Sequence, residues 1–210
     1  MSEKGLKILR EPTYRLIDPV VRWLIRWRIH PNAISTFGFA VTLLAGVLYH
    51  SDHVRSAGLM VILGGIVDIF DGRVARESGL ESKFGAFYDS TLDRMSEVVV
   101  FVGLASLYNT LRGGMGDVVM VYVILLALGG SLLVSYTRAR AEGLGLDCKV
   151  GLMQRAERVV LLGLGSALFG LAWNGLALDL IIITVAVLTN LTAIQRIVWV
   201  YRHAKGVPLE

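Results

Sequence analysis

Six apolar runs occupy most of the chain, at 33–50, 55–75, 84–109, 117–140, 156–174 and 176–200. Each approaches the roughly 20 residues that carry an α-helix across a bilayer, with allowance for tilt. The first run begins late and lacks a small-residue cleavage site, so it reads as a span and not as a signal segment. Ahead of it, between Pro12 and His30, Leu16, Ile17, Val20, Val21, Leu24 and Trp27 recur at intervals of three and four, with Arg15, Arg22, Arg26 and Arg28 among them. This spacing predicts an amphipathic helix. It either lies in the membrane interface with Trp23 and Trp27 at headgroup level or packs on the protein's own cytoplasmic side. The expected architecture is all-α: a polytopic membrane protein with six transmembrane helices and an N-terminal interfacial amphipathic helix. Residues 1–32 form a juxtamembrane segment and residues 33–210 a single membrane domain, without internal repeats.

Composition agrees with the pattern. Hydrophobic residues make up 54% of the chain, and mean hydropathy is +0.61. Glycine, at 23 of 210 residues, is more abundant than in ordinary globular domains. Gly38, Thr42 and Gly46 place a small residue every fourth position of the first run, which permits close helix approach. Gly129, Gly130, Gly163, Gly165 and Gly170 are candidates for the same role. Cys148 is the single cysteine, so no disulfide forms within the chain.

Charge sets the orientation. With the N-terminus in the cytoplasm, nineteen Lys/Arg fall on the cytoplasmic side and only Arg55 and Arg112 on the other. The positive-inside rule then places both termini cytoplasmic, in the cytoplasmic membrane. The net charge of +4 therefore reports topology and contact with anionic membrane lipid, not nucleic acid binding.

Against this background four carboxylates stand out. Asp68-x-x-Asp71-Gly72-x-x-Ala75-Arg76 is followed, after eight residues, by Gly85-x-x-x-Asp89-x-x-x-Asp93. Acid within membrane segments is costly unless it meets water, a counter-charge or a metal. Asp68 and Asp71 share one helix face, as do Asp89 and Asp93. The stretch from Glu77 to Ser82 has no apolar period and contains Gly79, which predicts a turn between two antiparallel helices. Two acidic pairs brought together this way repel unless cations neutralise them, and an oxygen-only ligand set selects hard ions such as Mg²⁺ or Mn²⁺.

This frame resembles the signature of the CDP-alcohol phosphotransferases, and every defining position is matched. The resemblance implies two metal ions on Asp68, Asp71 and Asp89, with Asp93 as the general base that also touches a metal. It implies a CDP-diacylglycerol site in which Gly72, Ala75 and Gly85 leave room for the nucleotide and Arg76 pairs with phosphate. It further implies a homodimer, and the charge bias above places the active site on the cytoplasmic side.

A second constellation bears on the acceptor. The run from Ser135 to Glu142, the segment Arg155-Ala156-Glu157-Arg158 and the pair Gln195-Arg196 all arrive at the same membrane face. Converging guanidinium groups suit an acceptor that carries its own phosphate. The three segments are similar to the phosphatidylinositol-phosphate synthase branch of the family, in which the acceptor is inositol 1-phosphate. On that resemblance Ser135, Arg155 and Arg196 hold the acceptor phosphate, with Arg138 and Arg158 as further candidates. Gln154 and Ala156 depart from the branch, where an acidic residue and a proline are common. Transfer to glycerol 3-phosphate and an archaeal-type transfer from an ether lipid are alternatives within the family. A divalent-cation transporter is the alternative from a different class.

Overall fold

The computed structural model describes residues 17–109, 115–170 and 172–204. Among these residues the chain is helical throughout, with no strand. Residues 17–26 form α1, followed by α2 (Pro31–His50), α3 (Val54–Ser78), α4 (Lys83–Leu107), α5 (Met115–Glu142), α6 (Arg155–Phe169) and α7 (Leu176–His203). Helices α2 to α7 close into a ring in which α2 packs on α3, α3 on α6, α6 on α7, α7 on α5, α5 on α4 and α4 on α2.

The six predicted runs correspond to these six helices, but they are not equally apolar. Pro31–His50, Asp117–Glu142 and Ala172–His203 are long and apolar enough to cross a membrane. Helices α3 and α4 are long but carry the acids. Helix α6 has 15 residues, about 22 Å at ~1.5 Å per residue, and is short for a straight crossing. It therefore stops well before the predicted end of the fifth run at 174. There the chain turns through Ala172–Gly175, where Trp173 and Asn174 both adopt left-handed backbone angles, φ 52° and 57°. Two consecutive left-handed residues do not continue a helix.

Close approach between neighbours depends on glycine. A side chain on Gly103 of α4 would collide with the Gly46 carbonyl of α2, and one on Gly58 of α3 would lie 2.5 Å from the Gly163 carbonyl of α6. The predicted small-residue stripe of α2 serves two partners: Gly38 faces Val67 of α3, whereas Gly46 faces Val99 of α4.

The ring is filled differently at its two ends. Leu104, Leu107, Ile124, Leu178, Ile182 and Val185 have no exposed surface and close one end with hydrocarbon. The other end receives the first half of α4 and the last half of α3, which bear the four aspartates. Outward-facing Leu43, Leu44, Leu59, Leu63, Leu125, Leu126, Val187 and Leu191 are exposed, an apolar perimeter that suits lipid.

Of the predicted amphipathic segment, residues 17–26 are helical, and the chain turns at Trp27 and Arg28, where Arg28 has a left-handed φ of 52°. Its portion before residue 17 lies outside the described residues, as does Arg112. Val21 is fully buried against Ile34 of α2 and Val74 of α3, while Trp23 and Trp27 face outward with ring centres 6.2 Å apart. Asp18 pairs with Arg73 of α3 at 2.7 Å. The helix thus has a face packed on the protein and leaves its tryptophans available to the interface.

The glycine contacts set an expected outcome. Gly103→Val should destabilise the folded protein by roughly 1–3 kcal/mol, because the backbones of α2 and α4 cannot separate without opening the ring. A side chain on Gly129 meets nothing within 4 Å, so Gly129→Ala should be neutral or stabilising by up to ~1 kcal/mol. Thermal unfolding in detergent distinguishes the two.

Candidate active site

Local structure brings the two acidic pairs together. Helix α3 ends at Gly79, whose left-handed φ of 65° a side chain would strain. Ser82 then caps α4, its hydroxyl accepting from the Gly85 amide at 2.9 Å. The predicted turn is therefore present, and α3 and α4 present their aspartates to one another. Asp68, Asp71 and Asp89 offer carboxylate oxygens that all lie within 4.8 Å of one another.

Each acid has distinct surroundings. Asp71 is 5% exposed and accepts a hydrogen bond from Ser35 Oγ of α2 at 2.6 Å. The Arg155 guanidinium forks between two acids, with Nη1 on Asp68 Oδ2 and Nη2 on Asp93 Oδ1, each at 2.6 Å. Arg94 reaches Asp93 Oδ2 at 3.3 Å. Asp93 therefore stands outside the three-oxygen cluster and sits among arginines. No ion pair with Asp71 or Asp89 occurs among the described residues, although Arg155 and Arg94 lie close enough to Asp89 to act on it, so the nearby arginines offset only part of the acid charge. Three carboxylates with oxygen-only donors and incomplete neutralisation fit a hard divalent cation on Asp68, Asp71 and Asp89.

Two clefts meet at these acids. The first, of about 610 Å³, is lined by Gly72, Ala75, Arg76 and Gly85 together with Asn32, Ser35, Asp71 and Asp89. All four residues predicted for the CDP-lipid share this wall. A side chain on Gly72 would come 3.3 Å from the Arg76 guanidinium, and one on Gly85 would come 3.4 Å from Asn32 Oδ1, so both glycines keep the cleft open. The second cleft, of about 1490 Å³ including open solvent, runs past Asp89, Ser90, Asp93 and Arg94 to Ser135, Arg138 and Glu142. Asp89 borders both.

The five residues predicted for the acceptor phosphate have different immediate partners, although Arg138 and Arg158 both lie close enough to Arg196 to act on it. Ser135 and Arg138 line the second cleft, with Arg138 Nε on Glu142 at 2.8 Å. Arg155 is on the acids. Arg158 is 4% exposed, paired with Glu97 and donating to the Met153 carbonyl at 3.2 Å. Arg196 is 2% exposed and donates to the carbonyls of Val150 and Val134. Its guanidinium thus ties the loop before α6 to α5, next to Ser135.

Ser35, Arg94 and Glu97 are site residues that the sequence reading did not single out. Glu97 had a signal, since it continues the four-residue spacing of Asp89 and Asp93. Ser35 had none, because its role depends on α2 crossing α3 beside Asp71.

An all-helical ring with an oxygen-only acid cluster between two clefts is the arrangement of a metal-dependent membrane phosphotransferase. The chain belongs to the CDP-alcohol phosphatidyltransferase family, whose model matches residues 28–200. It is 35% identical over 205 residues to an archaetidylinositol phosphate synthase of Methanothermobacter thermautotrophicus, covering 98% of each chain. It is 34% identical to a phosphatidylinositol phosphate synthase of Streptomyces avermitilis, over 90% of this chain and 80% of that one. The fold is similar to crystal structures of the Mycobacterium tuberculosis phosphatidylinositol phosphate synthase, at 29% identity. The form with CDP-DAG bound gives a TM-score of 0.79 over 89% of this chain and 94% of that one. The form in complex with manganese and citrate gives 0.79 over 87% and 88%.

Removing a donor from the cluster should weaken cation binding. Asp71→Asn and Asp89→Asn are each expected to lower Mn²⁺ affinity at least tenfold, read by electron paramagnetic resonance on substrate-free protein. Wild-type affinity in either variant would show that the cluster is not the cation site.

Proposed function

We propose that this protein transfers the lipid phosphatidyl group of a CDP-diacylglycerol-type donor to inositol 1-phosphate, giving a phosphatidylinositol phosphate and CMP. The observation that carries this reading is that Asp89 borders both clefts. One cleft has the room and the arginine for a nucleotide pyrophosphate, and the other has a hydroxyl and an arginine for a phosphorylated acceptor. The relatives' names agree, since they specify inositol phosphate products with both ether-type and ester-type lipid.

The chemistry follows from charge. An acceptor hydroxyl must approach a dianionic pyrophosphate, so that anion has to be neutralised and the hydroxyl deprotonated. A divalent cation on Asp68, Asp71 and Asp89, with Mg²⁺ or Mn²⁺ as the candidates and two ions in the family pattern, supplies the neutralisation when bound. Arg76 adds a guanidinium on the donor side. Asp93 stands at the acceptor cleft and takes the hydroxyl proton as the oxygen attacks the β-phosphorus. The new oxygen–phosphorus bond replaces the bond to CMP, which leaves with the α-phosphate. Ser135 and Arg138 receive the acceptor's own phosphate, Arg155 lies where that cleft meets the acids, and Arg196 steadies the backbone beside Ser135.

Helices α2 to α7 all cross the membrane in this reading, with the acids, both termini and α1 at the cytoplasmic face. The bias of nineteen Lys/Arg to two supports that orientation. The proposed substrates agree with it, since CDP-linked lipid headgroups and inositol 1-phosphate are met at the cytoplasmic face.

Purified protein with Mg²⁺ and CDP-diacylglycerol should release CMP with inositol 1-phosphate and not with free inositol or serine. Asp93→Asn should lower kcat by roughly 10²–10⁴-fold, the range of a lost general base. Preference for glycerol 3-phosphate would move the protein to another acceptor branch. Release only with an ether-linked donor would assign it the archaeal-type lipid. Metal flux in proteoliposomes without CMP release would favour a transporter.

A further inference from the structure

Helix α1 presents three faces. Ile17, Val21, Leu24 and Ile25 pack on the protein, with Val21 fully buried against Ile34 of α2 and Val74 of α3. Val20, Trp23 and Trp27 share the second face and are 42%, 55% and 68% exposed. Arg22 and Arg26, four residues apart and both exposed, form the third. An aromatic strip flanked by arginine suits a helix seated among lipid headgroups.

The end of the helix adds to that charge. The Arg28 amide donates to the Ile25 carbonyl at 2.9 Å and the Ile29 amide to the Leu24 carbonyl at 3.1 Å, which closes the helix with Arg28 in the left-handed region. Glycine takes this position without strain, and an arginine there costs backbone energy. Packing does not offset that cost, because the Arg28 side chain is exposed. A ligand outside the chain would, since the guanidinium stands next to Trp27 and on the helix that carries Arg22 and Arg26.

Helix α1 also backs the wall of the first cleft. Val74 of α3 faces α1, while Gly72, Ala75 and Arg76 from the same stretch of helix line the cleft. Ile34 of α2 faces α1, and the next residue, Ser35, holds Asp71 at 2.6 Å. Asp18 ties α1 to Arg73, which follows Gly72 in the chain and also pairs with Glu77. A shift of α1 is therefore felt by both helices that shape this cleft.

We propose that α1 is a binding site for anionic phospholipid, in which Arg22, Arg26 and Arg28 take headgroup phosphate with Trp23 and Trp27 seated beside them, and that its occupancy braces the first cleft through Asp18 and Arg73. The occupant is a lipid of the bilayer and not a soluble phosphate, because the tryptophan face needs a membrane surface. The binding site stands on geometry alone, and its effect on turnover rests on the phosphotransfer reading.

The test uses full-length protein in phosphatidylcholine nanodiscs with or without phosphatidylglycerol, at fixed CDP-diacylglycerol fraction, saturating Mg²⁺ and constant ionic strength. In a Trp173→Phe, Trp199→Phe background only Trp23 and Trp27 emit. Brominated phosphatidylglycerol should quench them at least twofold more than brominated phosphatidylcholine, and inorganic phosphate should not reduce the excess. Arg22→Gln/Arg26→Gln should abolish it, whereas Arg22→Lys/Arg26→Lys should keep most of it. Arg28→Gly should lower the excess while raising Tm by about 2–4 °C, as expected on release of left-handed strain. The initial kcat for CMP release should rise at least threefold with phosphatidylglycerol in wild type and stay flat in Arg22→Gln/Arg26→Gln, the two being equal in phosphatidylcholine alone. Asp18→Asn should keep the quenching excess and lose the rise in kcat, a split that a merely structural ion pair would not produce. Equal quenching by the two lipids, or an excess that survives Arg22→Gln/Arg26→Gln, would overturn the headgroup site. A wild-type kcat indifferent to the anionic lipid, or a rise that survives Asp18→Asn, would overturn the coupling. If wild-type protein releases no CMP, the phosphotransfer reading falls, and the quenching still decides the headgroup site.

Discussion

Mutual repulsion among the aspartates is the constraint on which the rest of the structure depends. Asp68, Asp71 and Asp89 hold oxygens within 4.8 Å of one another. At that separation each pair of full charges repels by about 3 kcal/mol for an effective dielectric of about 20. Three such pairs oppose folding by an amount comparable to the ~5–15 kcal/mol that keeps a typical domain folded. Arg155 shares its one positive charge between Asp68 and Asp93, Arg94 adds to Asp93, and Ser35 gives Asp71 a neutral hydrogen bond. That leaves the cluster short of positive charge, the condition that suits a divalent cation. Stability and function thus make the same demand of one group of residues.

Holding the acids against repulsion requires rigid helices, and the ring supplies rigidity at its apolar end. Helix α4 is anchored there by Leu104 and Leu107 and carries Asp89 and Asp93 on its other half as a cantilever. Helix α3 is fixed by glycine contacts to α2 and α6, so the turns bearing Asp68 and Asp71 have little freedom to move apart. The interior between these anchored halves is where Asp93, Glu97, Arg155 and Arg158 meet. A charged interior of this kind survives because the hydrocarbon end carries the packing energy separately.

The acid frame was legible in the sequence because its chemistry is local. Spacings of three and four fix which aspartates share a face, and Gly79 with Ser82 marks the turn that pairs the two helices. That Gly72, Ala75, Arg76 and Gly85 share one cleft was legible for the same reason, since they belong to the same two helix ends. The acceptor side was not, because it is assembled from α4, α5, α6 and the end of α7, and spacing along the chain says nothing about which way an arginine turns at its helix end. Arg138 points to a cleft, whereas Arg158 and Arg196 point inward to Glu97 and to backbone carbonyls. Membrane crossing was partly legible: six runs mark six helices, but hydropathy alone does not show that α6 stops at Phe169, because Trp173 and Asn174 break it through backbone conformation and not through polarity.

The order of helices around the ring reconciles a charged site with a lipid environment. Only α2, α5 and α7, the last together with its preceding turn, are apolar enough to cross a membrane unaided. Going round the ring, α3 lies against α2, α6 against α7, and α4 between α2 and α5. Each helix that lacks the hydropathy to stand alone in lipid is therefore flanked by at least one that has it. The arrangement gives the acid-bearing α3 and α4 apolar neighbours, which an isolated helix with the same residues would need to lie in lipid. The first cleft accordingly lies beside α2 and the second beside α5. The two acid-bearing helices can open into clefts only where an apolar neighbour still shields their other side.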